Sequence, residues 1–98
     1  MGLTLRFDDR ALDDLRQIRS YIAECSPSGA ERVRTHVMHA MDSLIDFPFL
    51  GRSTDQPRVR VLVMSKYPYL VFYSDVKDEV VILHVRHAAR APVDPAAL

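Results

Sequence analysis

Arg58, Arg60, Arg86, His87 and Arg90 are the residues of this chain whose types suit chemistry. A histidine that titrates near neutrality can act as a general acid, and arginines beside it can stabilise a phosphorane. Together they would suffice for metal-free RNA cleavage. Their placement argues against it. If positions 58–64, 69–73 and 80–87 are three consecutive antiparallel strands, the first and third run the same way with the middle one between them. Arg58 and Arg60 then lie beside Val80 and Ile82, at the opposite corner from Arg86 and Arg90. Two strand spacings alone put about 10 Å between the corners. The positive charges suit contact more than catalysis.

The other titratable groups point to less. His36 and His39 lie three apart on a helical segment and neighbour each other there, but no further Cys or His completes a metal-ligand spacing. His84 and His87 differ by an odd number, so one strand would point them to opposite faces. Asp13 and Asp14 fall on an outward helix face and read as solvated. There is no glycine-rich phosphate loop, no Ser/His/Asp arrangement and no paired-carboxylate cleft. The expectation is no metal and no cofactor.

The elements that must position these residues follow from periodicity. Leu3, Leu5 and Phe7 alternate with polar residues as a short first strand. Asp8 is placed to cap a helix, with Phe7 and Leu12 as a staple across the cap. Ala11, Leu15, Ile18, Tyr21, Ile22 and Cys25 make one stripe at helical spacing over 9–24. Ser26 and Pro27 start a second helix, or Ser28 and Glu31 do so as a capping box. That helix places Ala30, Val33, Val37, Ala40, Met41, Leu44 and Ile45 on one side, and Asp46, Phe47 and Pro48 stop it. A polar loop runs on to Pro57.

The runs at 58–64, 69–73 and 80–87 are rich in β-branched and aromatic residues and separated by short breaks, the pattern of a meander. The predicted fold is α+β, in the order β-α-α-β-β-β, a helical hairpin packed on an antiparallel sheet. Val59, Val61, Val63, Val81, Leu83 and Val85 are expected to face the helices. The opposite face would carry Arg58, Arg60, Leu62 and Met64 with Val80, Ile82, His84 and Arg86. This mixture of apolar residues and arginine suits a partner-binding surface, unless the 91–98 tail covers it.

The bulk numbers agree with a modest soluble domain. All 98 residues read as one unit, with 13 basic side chains cancelling 13 acidic ones. Eleven of the cations are arginine, whose planar fork suits recognition surfaces, as does a GC-rich coding sequence. Neutrality excludes a general polyanion-binding field. A lone cysteine, no leader and no apolar run of spanning length predict a cytoplasmic protein without disulfides.

Several stretches, in order along nearly the whole chain, resemble the RelE/ParE superfamily of bacterial type II toxins. They are Ala11 with Asp14, Leu15, Ile18, Tyr21 and Ile22; Ser26-Pro27; Phe47-Pro48 with Leu50-Gly51-Arg52; Tyr69-Leu70-Val71-Phe72-Tyr73; and Ile82-Leu83 with His87-Ala88-Ala89-Arg90. The resemblance implies a cognate antitoxin whose tail wraps the toxin, in a hetero-oligomer. Two activities are implied within the superfamily. RelE-like members cut messenger RNA in the ribosomal A site with an arginine and a tyrosine that would fall near Ser65 and Ala96 here, so only Arg90 keeps a matching charge. ParE-like members poison DNA gyrase, and the loop and ending of this chain look more like theirs. The expectation is therefore a ParE-like gyrase inhibitor without catalytic residues. A nuclease using His87, Arg86 and Arg90 is the alternative, and an inactive antitoxin-binding module the third reading. Arg58, Arg60, Leu62, Met64, Ile82, His84, Arg86 and Arg90 are the expected target or partner contacts, with no membrane and no sequence-specific nucleic acid.

Overall fold

The computed structural model describes residues 3–64 and 66–88. In chain order the elements are β1 (Thr4–Phe7), α1 (Asp9–Cys25), α2 (Pro27–Asp46), β2 (Arg52–Ser53), β3 (Arg60–Val63), β4 (Tyr69–Val76) and β5 (Glu79–His87). The sheet order is β1-β5-β4-β3-β2. β3, β4 and β5 form the expected antiparallel meander. β1 joins it parallel to β5, which only the long connection through both helices permits. The two-residue β2 pairs with β3 inside the stretch read as a polar loop. β4 and β5 also run further than their apolar residues suggested, leaving only Lys77 and Asp78 between them. Lys77 takes a left-handed φ of 53°, as the tightest hairpin turns require.

A single residue separates the helices. Ser26 ends α1 by donating its N–H to the Ile22 carbonyl at 2.8 Å, and its hydroxyl caps α2 by accepting the Gly29 N–H at 3.0 Å. Pro27 fills the first turn of α2. The Ser26 alternative is therefore the one used. Asp8 occupies the cap position of α1 but makes no side-chain capping bond.

The core lies between the helical hairpin and one face of the sheet. Ala11, Val33, Val37, Met41 and Leu44 meet Met64, Tyr69, Val71, Tyr73, Val80, Ile82 and Val85 there. Leu15, Ile18, Ile22 and Leu62 pack against this cluster. Tyr21, placed by periodicity on the same stripe, is 65% exposed at its edge.

The face assignment is the reverse of the one expected for β3 and for β5 up to Ile82, whereas Val85 lies on the helix side and His84 and Arg86 on the opposite one, as expected. Met64, Val80 and Ile82 lie under the helices, whereas Val61 and Val63 pair with Phe72 and Leu70 on the other side. Alternation fixes which residues share a face but not which face is covered, and here both faces carry branched apolar residues. A register shift adds to this. Tyr73 pairs with Ile82 and Phe72 with His84, so Leu83 is an extra residue and the alternation of β5 changes phase there. Val85 accordingly returns to the core face on which Ile82 sits.

Candidate partner-binding site

The seam between α1 and α2 opens as a groove. Leu15, Ile18 and Ile22 from α1 and Val33, Val37 and Met38 from α2 form its floor. Arg16, Arg19 and Arg34 stand on its rim, and the groove encloses about 200 Å³. Arg19 is paired across the hairpin with Glu31 at 3.3 Å, an exposed contact that contributes little to stability. An apolar floor between cationic walls fits an amphipathic segment with acidic flanks.

The residues expected to bind a partner do not form one surface. Met64, at 6% exposure, and Ile82, at 0%, belong to the core beneath the helices and cannot meet a partner. Leu62 packs against that core. His84 and Arg86, at 7% and 8% exposure, are buried as well. Arg58 is exposed, with a left-handed φ of 67°. Arg60 is half-buried: its Nη1 donates to the Gly51 carbonyl at 2.8 Å and its guanidinium lies 4.8 Å from the centre of the Phe49 ring. Arg90, and the tail 91–98 read as a cover, lie outside the described residues, as does Ser65.

Arg60 and Arg86 do not converge. Arg60 is in register with Tyr73 and Arg86 with Leu70, so they stand on opposite faces. Strand spacing and rise put their Cα positions about 14 Å apart. His87 sits elsewhere again, in a cleft of about 250 Å³ that it lines with Asp14, Gln17, Tyr21, Tyr69 and Val85. Its ring meets Tyr69 edge-on at 5.5 Å. None of the described arginines lines this cleft.

Two arrangements were not read from the sequence, although Asp14 stands within the apolar stripe of α1, three after Ala11 and four before Ile18. Asp14 is not solvated: its Oδ2 lies 2.5 Å from His84 Nδ1 and accepts the Val85 N–H at 3.1 Å. β1 ends its pairing with β5 at Ile82, so the edge of β5 beyond that point needs another acceptor, and α1 supplies it. The second arrangement is Tyr73, wholly buried, whose hydroxyl donates to the Pro48 carbonyl and accepts the Gly51 N–H, each at 2.8 Å. Burial pushes this phenol above its usual value, while the Gly51 hydrogen bond and Arg60 oppose the rise. A Cβ on Gly51 would lie 2.7 Å from the Tyr73 hydroxyl, so glycine is required there by close approach.

His36 meets the Tyr67 ring edge-on at 5.2 Å, and His39 lies in the same shallow depression. Among the described residues no group of three or more His, Cys, Asp or Glu is placed to hold a metal. No described helix is long and apolar enough to cross a membrane.

Residues 5–92 match the family described as ParE toxin of type II toxin-antitoxin system, parDE. Toxin RelE2 of Caulobacter vibrioides is 38% identical over 81 residues, which are 83% of this chain and 90% of that protein. Among solved structures, the chromosomal ParDE toxin-antitoxin system from P. aeruginosa contains a chain that superposes with a TM-score of 0.76 at 22% identity, covering 87% of this chain and 95% of that one. A chain of the intact E. coli RelBE toxin-antitoxin complex gives 0.62 at 18% identity, covering 90% and 99%. These structural likenesses speak to the fold.

Proposed function

The chain belongs to the ParE toxin family of type II toxin-antitoxin systems, and from that membership we propose that it arrests growth by binding DNA gyrase without doing chemistry itself. A cognate antitoxin is its partner. On this reading the antitoxin lays an acidic amphipathic segment into the α1–α2 groove.

One observation carries the non-catalytic reading. Among the described residues, the groups that a metal-free nuclease would gather are dispersed: Arg60 is bound to the 47–52 loop, Arg86 is buried on the other face of the sheet, and no described arginine lines the His87 cleft. None of the described arginines is therefore placed there to meet the charge that develops on a phosphorane. The direct test is a supercoiling assay with purified toxin at micromolar concentration. Inhibition that added antitoxin reverses is expected; unaffected gyrase would reject the proposal.

A second reading, a ribosome-dependent endoribonuclease, draws support from the relative named Toxin RelE2 and from the placement of His87 beside Tyr69 in an open cleft. It requires codon-positioned cuts in translated message that vanish in His87→Ala.

A further inference from the structure

The segment after α2 carries a second apolar surface, separate from the groove. Phe47, Phe49 and Leu50 are 64%, 66% and 54% exposed. The backbone that bears them is pinned. Tyr73 holds Pro48 and Gly51 through its hydroxyl, Arg60 holds the Gly51 carbonyl, and the Leu50 N–H bonds the Phe47 carbonyl at 3.1 Å. The conformational entropy of the loop is therefore lost on folding and not on binding, which favours tight contact. The chain as a whole is neutral, but from position 47 to 60 it carries Arg52, Arg58 and Arg60 against Asp55 alone. Arg52 and Arg58 are exposed, and the left-handed backbone of Arg58 is strain of a kind that persists where the surroundings hold it.

We propose that this pinned loop is the surface by which the toxin grips its protein target. Phe47, Phe49 and Leu50 would enter an apolar cleft on a folded protein, and Arg52 and Arg58 would meet carboxylates on the cleft's rim. Aromatic residues flanked by arginine are the types that dominate binding energy at the centres of protein interfaces. The groove ends at Met38, about 13 Å of helix before Phe47, so the loop is a surface separate from it. The identity of the target rests on the gyrase reading; the contact itself does not.

The test is the double variant Phe47→Ser/Phe49→Ser, assayed for gyrase capture, supercoiling inhibition, growth arrest and antitoxin affinity. Both side chains are mostly exposed, so the melting temperature should hold; if it falls, Leu50→Lys alone carries the same expectation. Gyrase capture and inhibition should drop at least tenfold and growth arrest should be lost, with antitoxin affinity kept within twofold. Arg58→Glu should give a smaller loss that disappears at high salt. A double variant that inhibits gyrase like the wild type overturns the loop proposal and leaves the gyrase reading standing. Parallel loss of antitoxin affinity would assign the loop to the antitoxin interface and also overturn it. If the wild-type toxin leaves supercoiling untouched, the gyrase reading fails and growth arrest decides. A double variant that still arrests growth, or one that has lost a block of translation, overturns the proposal. Loss of an arrest that does not involve translation upholds it for another protein target.

Discussion

Tyr73 joins the start of the second half of the chain to its core through one oxygen atom. Tyr73→Phe leaves the Gly51 N–H and the Pro48 carbonyl without that partner, and urea denaturation should show a loss of about 1–3 kcal/mol. The pH dependence has a definite sign. A phenol whose folded value is raised favours the folded state while it stays protonated. Its contribution is complete below the ordinary tyrosine range and is lost as pH rises through the raised value. The gap between wild type and Tyr73→Phe should therefore be constant at neutral pH and narrow only in alkaline buffer. Asp14 and His84 form the other buried contact. Cycles built from Asp14→Asn and His84→Ala should return a coupling of about 1–3 kcal/mol, since each single change strands a hydrogen-bonded partner; additive losses would show that the pair is idle. Sequence reading placed Asp14 in solvent because of its charge, although its position, three after Ala11 and four before Ile18, falls within the apolar stripe. Nothing in the local pattern says that β5 outruns β1 and needs an acceptor at Val85.

At the level of elements, helices, strands and hairpin were legible because each carries its own periodicity and punctuation. Ser26 followed by Pro27 marks the joint between α1 and α2, and Pro48 marks the end of the second helix. β2 escaped notice since two exposed residues have no period. The orientation of the sheet escaped for a different reason: Val61 and Val63 look as apolar as Leu62 and Met64, and the extra residue at Leu83 hides the change of phase in β5. The loop between α2 and β2 depends on Gly51, whose missing side chain lets the Tyr73 ring and the Val61 carbonyl approach. Gly51→Ala would place a methyl 2.8 Å from that backbone oxygen. A loss of about 1–3 kcal/mol is expected from the displacement, measurable as a lower urea midpoint with unchanged slope.

Across the whole molecule, neutrality conceals local charge. The groove rim is cationic, and reversing it with Arg16→Glu/Arg34→Glu should weaken antitoxin binding at least tenfold, most at low salt, with the melting temperature kept. A salt-independent loss, or none, would place the antitoxin elsewhere. The residue types, their order and their periods determined by themselves that the chain builds a helical hairpin beside a meander, and that it resembles this toxin superfamily, because those signals are local and additive. Only the tertiary structure decided which face of the sheet the helices cover, which arginines stay exposed, and which acids and phenols are buried. Those outcomes depend on contacts between residues far apart in sequence, such as Asp14 with Val85 and Tyr73 with Gly51, and no window of sequence contains both partners.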